Sequence, residues 1–364
     1  MTYFASCFLV GLLATLLIMR WSIRHGSMSA DHDLSGPQKF HSRPVPRVGG
    51  AGVVIAILAG VVIAQLNRLP AASSLWLLMA CSVPTFAAGI AEDLTKNVSP
   101  RRRLLATAVS AGLGIWLLGA IITRTAIPGI DTLVQWLPLA VVLTIFVVTG
   151  VANSINIIDG FNGLASMCVL MMVLALAYVA FQVGDEFVFT ACLITAGAVL
   201  GFFLWNFPAG LIVLGDGGAY LLGFLLAELA VLLVQRNPQV SPIFALLLCA
   251  YPIFETIFTI YRRKVVRGVA TAQPDAIHLH TLIHRRLVRW TIVGKLDRRR
   301  LTRRNSMTSP YLWLLCLASV VPSLLWWNST PVLSAFLLLF VLSYVWIYSR
   351  IVRFKTPKWL LFRN

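Results

Sequence analysis

Charge is scarce in this sequence. Only 12% of its 364 residues are Asp, Glu, Lys or Arg, while 59% are hydrophobic. A soluble fold cannot solvate so apolar a surface. Long apolar runs with few charges read instead as transmembrane helices, each needing ~20 residues to cross a bilayer. The short alternating segments of a membrane β-barrel are missing, which excludes the other spanning solution. Acidic residues are the scarcer sign, 13 against 30 Lys and Arg, giving a net charge of +17. Nucleic-acid binding is one reading of that excess. The distribution of the basic residues favours a topology signal, with a share facing anionic lipid or anionic substrate. Cysteine is also sparse. Cys7, Cys81, Cys168, Cys192, Cys249 and Cys316 all fall in apolar runs, without metal-site spacing or the look of a disulfide framework. Internal repeats and low-complexity linkers are absent, so residues 1–364 read as a single membrane domain.

Eleven apolar spans can be marked, near 3–19, 48–66, 72–91, 104–122, 135–152, 164–183, 187–205, 218–234, 241–261, 309–327 and 331–349. The first has no basic residue before it and Arg20 and Arg24 after it, the reverse of a cleaved signal peptide. A retained helix with its N-terminus outside is expected. The inside segments are then 20–47, 92–103, 206–217, 262–308 and 350–364, and they hold 27 of the 30 Lys and Arg. That is the positive-inside bias, and it puts the C-terminus in the cytoplasm. The expected fold is an all-α polytopic membrane protein of about eleven transmembrane helices, with a basic cytoplasmic loop at 262–308.

Polar residues are expensive in a membrane protein, so their clustering is informative. The richest clusters fall on the inside. Lys39-Phe40-His41-Ser42-Arg43-Pro44-Val45-Pro46-Arg47-Val48-Gly49-Gly50 combines three cations with two prolines that fix an extended lead-in. Its glycine pair would let backbone approach a ligand closely. The segment suits either phosphate binding or a basic juxtamembrane anchor. Glu92-Asp93, followed by Lys96 and Arg101-Arg102-Arg103, closes the third span and alone reads as a topology anchor. Asn153-Ser154-Ile155-Asn156-Ile157-Ile158-Asp159-Gly160-Phe161-Asn162-Gly163 sets polar side chains at every third position. Such neighbours share a helix face, and their oxygens are the hard donors that magnesium prefers. A polar turn with an Asn cap explains one or two of these residues, not the string. Asp216, within Gly215-Asp216-Gly217-Gly218, is either a helix cap or a metal ligand beside a phosphate-attracting helix start. His278-Leu279-His280, with His284-Arg285-Arg286 beyond, places two histidines at i and i+2. These share a side in an extended segment, so a loop that binds phosphate is expected, rather than a zinc site.

Taken in order, these motifs resemble the polyprenyl-phosphate N-acetylhexosamine-1-phosphate transferases. That family includes the enzyme forming lipid I and those starting O-antigen or enterobacterial common antigen. The resemblance rests on Pro44 to Gly50, Glu92-Asp93, Asn153 to Leu164, Gly215 to Gly218 and His278-Leu279-His280, and spans roughly 30–350. The Pro-Arg before Gly-Gly is closer to the O-antigen type. The chain departs from the family at Glu92, where Asp is usual, and at Asn162, where an acidic residue is usual.

The resemblance implies a cytoplasmic-face enzyme of the bacterial inner membrane. It would use a UDP-N-acetylhexosamine donor and undecaprenyl phosphate as acceptor, need Mg2+ (with Mn2+ as a candidate substitute) and release UMP. Asp93, Asp159 and Glu92 are the implied catalytic residues, with Asp93 the candidate base. Asp216 and Asn156 are the implied metal ligands. Asn153, Asn162, Lys39, His41, Arg43, Arg47, His278, His280 and Arg285 are the expected substrate-binding residues. Membrane lipids are expected partners, a homodimer is compatible, and no nucleic acid is expected. The rivals are a lipid I enzyme, a transporter and a catalytically silent scaffold. Glu228 and Glu255 are the acids inside apolar spans, few for a transporter pathway.

Overall fold

The computed structural model describes residues 1–24, 45–266, 278–288 and 298–353. Their regular structure is helical: α1 (Thr2–Arg24), α2 (Gly49–Leu66), α3 (Ala72–Thr95), α4 (Pro100–Leu118), α5 (Ile130–Leu133), α6 (Leu137–Ile158), α7 (Leu164–Val183), α8 (Glu186–Asn206), α9 (Gly215–Arg236), α10 (Pro242–Leu248), α11 (Ala250–Tyr261), α12 (Leu279–Ile283), α13 (Arg298–Leu325) and α14 (Thr330–Val352). Single π-turns follow α11 at Arg262–Val266 and α12 at His284–Val288.

Among the described residues nine helices are long and apolar enough to cross a membrane. A tenth candidate is the pair Pro242–Leu248 and Ala250–Val265, bent by 70°. The expected ninth span is therefore broken. Pro252 has no N–H to return to the carbonyl four residues back, which favours an interruption just before it. The expected fourth span is present as α4. Its first turn carries Arg101, Arg102 and Arg103, too much charge for a span by composition, and its apolar run leaves helical structure at Gly119. The 262–308 segment is less of a loop than expected. It includes both π-turns and α12, and α13 begins at Arg298 rather than near 309.

α9 is the hub. Its hydrophobic window is entirely buried, whereas α1 and α14 bury 22% of theirs. α9 is apolar on every side, so no face needs water or a dedicated contact, and α2, α3, α4, α6, α7 and α8 pack around it. α4 starts on Ser99, whose hydroxyl accepts the Arg102 N–H, with Pro100 at the first helical position. α7 turns into α8 through left-handed Gly184 and Asp185, which caps Val188 at 3.1 Å. The start of α9, the end of α3 and the end of α6 meet at one end of the bundle, where the polar clusters lie.

Candidate active site

The N-terminus of α9 has no side-chain cap of its own. Asp93, in the last turn of α3, supplies one. Its Oδ1 accepts the Asp216 N–H at 2.9 Å and its Oδ2 accepts the Gly217 N–H at 2.8 Å. A buried carboxylate here satisfies free helix-start amides and favours the positive end of the helix dipole. The approach depends on glycine. A Cβ on Gly50 would come within 2.4 Å of the Gly218 nitrogen, and Gly215 holds φ +78°. The Gly49-Gly50 pair therefore admits another helix, not a ligand as expected. Gly49 and Gly50 donate to the carbonyls of Val213 and Leu214 at 3.0 and 2.8 Å.

With its backbone pinned, Asp216 turns its carboxylate to three donors from three elements. Arg103 of α4 pairs with Oδ2. Arg47, ahead of α2, lies 3.5 Å from Oδ1, and Asn156 of α6 donates to Oδ1 at 2.8 Å. Arg47 also approaches Asp93 at 3.7 Å. Asp159 ends α6 and is half-buried. Burial pushes its carboxyl up to about 7; the Arg47 guanidinium opposes that rise, and Asp216 and Asp93 reinforce it. Asn153 accepts the Tyr220 hydroxyl at 3.0 Å, and the Arg103 guanidinium stands 5.6 Å over the Tyr220 ring. Asn153 thus orders the support beneath Arg103.

The histidine motif borders the same loop. His278 is extended at the N-cap of α12 and His280 lies inside the helix, yet their rings stack at 4.9 Å. The expectation of a loop is corrected: a non-helical cap residue brings an i, i+2 pair together across a helix start. Both histidines are buried. His278 Nδ1 is 3.3 Å from Glu255 Oε1, which also accepts the Leu279 N–H at 2.9 Å. Tyr344 donates to Glu255 Oε2 at 2.8 Å. Phe161 meets the His280 ring edge-on at 5.6 Å. Burial, with help from His278, holds the His280 imidazole down to about 3, so it is neutral.

Other expected residues are employed elsewhere. Glu92 accepts the Val98 N–H at 2.7 Å and closes the α3–α4 turn. Asn162 is buried in a clamp by α13. Its N–H donates to Asn305 at 2.8 Å, its amide to Ser306 at 3.0 Å, and its carbonyl accepts from Ser309 at 2.6 Å. Arg285 is exposed beyond α12. Lys39, His41 and Arg43 lie outside the described residues. Two participants escaped the sequence reading. Arg103 was hidden in a run of three arginines, although it alone continues the face of Thr107, Ser110 and Gly114, which α4 buries. Glu255, which in the sequence is one acid inside an apolar span, anchors the histidine motif.

The cluster suits an open cation site. Asp216, Asp159 and Asn156 offer hard oxygens, and two arginines now answer the charge. Among the described residues no three His, Cys, Asp or Glu are grouped so as to hold a metal ion on their own.

Residues 75–234, which include Asp93, Asp159 and Asp216, match the family described as Glycosyl transferase family 4. Over that stretch the chain is similar to this family. Members similar to it over most of its length include a probable undecaprenyl-phosphate N-acetylglucosaminyl 1-phosphate transferase of Bacillus subtilis (strain 168), 27% identical over 75% of each chain. An undecaprenyl-phosphate alpha-N-acetylglucosaminyl 1-phosphate transferase of Thermotoga maritima is 26% identical over 71% of this chain and 74% of its own. A phospho-N-acetylmuramoyl-pentapeptide-transferase of Staphylococcus carnosus (strain TM300) is 33% identical, over 30% of this chain and 34% of its own.

Proposed function

We propose that the chain transfers N-acetylglucosamine-1-phosphate from UDP-N-acetylglucosamine to undecaprenyl phosphate, releasing UMP, at the cytoplasmic face of a bacterial inner membrane. The observation that carries this reading is the convergence of Asp93, Asp159 and Asp216 with Arg47 and Arg103 at one end of a membrane bundle. A water-soluble donor and an acceptor with a lipid tail can meet only at such an end. The relatives with long coverage are named for N-acetylglucosaminyl phosphate transfer, which favours this sugar over the lipid I precursor.

Phosphoryl transfer asks for positioning and charge neutralisation more than covalent machinery. Asp216, with the Asn156 oxygen beside it, would hold magnesium. When bound, the ion supplies positive charge to the donor pyrophosphate. Arg47 and Arg103 sit where they can pass from carboxylate to phosphate oxygens as substrate arrives. Asp93 has both oxygens engaged by α9 amides, so it positions Asp216. Asp159, with a proton affinity near neutrality, is the better holder of a proton during transfer. The acceptor phosphate, with a second pKa of ~6, is largely ionised and needs little deprotonation.

The test is UMP release by the purified full chain, with undecaprenyl phosphate, Mg2+ and a panel of UDP-sugars that includes UDP-N-acetylmuramoyl-pentapeptide. UMP formed only with carrier and UDP-N-acetylglucosamine together supports the reading. Release with the pentapeptide donor instead would move the chain to lipid I synthesis. Flux of a sugar-lipid in proteoliposomes without UMP would make it a transporter.

A further inference from the structure

Between the 207–211 turn and the first turns of α13 lies an open cleft of about 650 Å³, apart from the carboxylate cluster. From α13 it is lined by Arg299, Thr302, Arg303, Ser306, Met307 and Pro310, which recur at helical spacing on one face. That face is graded. Arg299, Thr302 and Arg303 come first, Ser306 next, and the apolar Met307 and Pro310 last. Phe207 and Leu211 form the opposite wall. Phe207 is held by ring contacts with Phe203 at 5.4 Å and Trp313 at 4.9 Å, so the wall is firm. α13 continues to Leu325 as a membrane-spanning candidate. The cationic end of the cleft therefore faces the aqueous side and its apolar end faces the bilayer. Arg299 and Arg303 are exposed, and neither has a carboxylate partner among the described residues.

We propose that this cleft binds an anionic phospholipid, with its phosphate between Arg299 and Arg303 and an acyl chain along Phe207, Leu211 and Met307. A basic topology anchor needs arginines but no cleft. A soluble phosphate needs arginines but no apolar wall leading into the membrane. The graded face fits a ligand with both parts, and juxtamembrane cations attract anionic headgroups.

The cleft shares a residue with the catalytic loop. The Ser306 hydroxyl donates to the Pro208 carbonyl and lies 3.0 Å from the Asn162 amide. Asn162 is three residues beyond Asp159 and is held by α13 through Asn305 and Ser309 as well. A seated lipid braces α13 against the 207–211 turn and so steadies the turn that follows Asp159. The binding claim stands on the cleft alone; the effect on rate rests on the transferase reading.

Purified full-length protein is titrated with phosphatidylglycerol, with phosphatidylcholine of the same chains, and with inorganic phosphate. Bound lipid is read by native mass spectrometry and thermal unfolding. Phosphatidylglycerol should be retained and raise the unfolding temperature. The R299Q/R303Q variant should bind it roughly thirtyfold more weakly. R101Q/R102Q, which removes two exposed arginines elsewhere, should bind as the parent does. Equal loss in R101Q/R102Q, or none in R299Q/R303Q, overturns the site. Equal protection by inorganic phosphate overturns the lipid assignment. UMP release in phosphatidylcholine vesicles, with and without phosphatidylglycerol, then reads the coupling separately. Lipid that binds without raising the rate overturns only the coupling.

Discussion

Asp93 accepts the backbone N–H of Asp216 at 2.9 Å, so one carboxylate of the cluster fixes the position of another. Asp93→Asn would keep one acceptor and turn an NH2 toward the second amide, leaving a buried donor unpaired. The expected cost is ~1–3 kcal/mol of stability, together with loss of most activity. Asp159→Asn should lose activity without that fall in stability. Thermal unfolding and UMP release on the two variants separate the roles. An unchanged unfolding temperature for Asp93→Asn would remove its capping role.

The carboxyl of Asp159 sits at about 7 in the folded chain, against an ordinary value of 3.8. The folded state therefore binds its proton more tightly than the unfolded state. Between about pH 4 and pH 7 this group makes stability fall as pH rises, and above that its contribution is flat. Asp159→Asn should raise the unfolding temperature more at pH 8 than at pH 5. If transfer uses the ionised form, the rate climbs through pH 7. His280, held at about 3, contributes no limb to that profile. A rate independent of pH between 6 and 8 would take the proton-holding role from Asp159.

Glu255 holds the start of α12 through the Leu279 N–H at 2.9 Å and contacts His278 at 3.3 Å. Glu255→Gln keeps an acceptor for Leu279 and a hydrogen-bonding partner for Tyr344, and should retain most activity. Glu255→Ala leaves the Leu279 amide and the Tyr344 hydroxyl without their acceptor. It should cost roughly five- to 150-fold in rate, the factor to which ~1–3 kcal/mol of lost buried hydrogen bonding corresponds. Donor KM and kcat on both variants test this. Equal activity of the two would leave Glu255 no part in positioning the histidines.

The spans were legible because apolar runs of bilayer length have few alternatives, and the acidic positions because carboxylates at such ends stand out. What stayed hidden was whatever depends on a distant partner. Nothing near Asn162 announces that Asn305, Ser306 and Ser309 enclose it. Glu92 and Asp93 are adjacent in sequence, but successive helical residues point apart. One closes a turn while the other caps α9. Gly49-Gly50 read as ligand-facing because a glycine pair does not say whether a helix or a ligand approaches it. The break at Cys249 was overlooked because its flanks are as apolar as an unbroken span.

Gly114 of α4 and Glu228 of α9 make a case for coupling far from the carboxylate cluster. A Cβ on Gly114 would fall 1.8 Å from Glu228 Oε1, so Gly114→Ala must displace that side chain. Both Glu228 oxygens are buried without a hydrogen-bond partner among the described residues. Displacement within a packed interior typically costs ~1–3 kcal/mol. Glu228→Ala removes the obstructing carboxylate, so the added methyl group of the double variant enters the space it vacates. The pair should be strongly non-additive, with the double variant more stable than the sum of the single changes predicts. Unfolding temperatures for the four proteins measure the coupling. UMP release should follow folded protein in all of them, because neither residue touches the cluster. Simple additivity would mean that Glu228 does not face Gly114 in the folded protein.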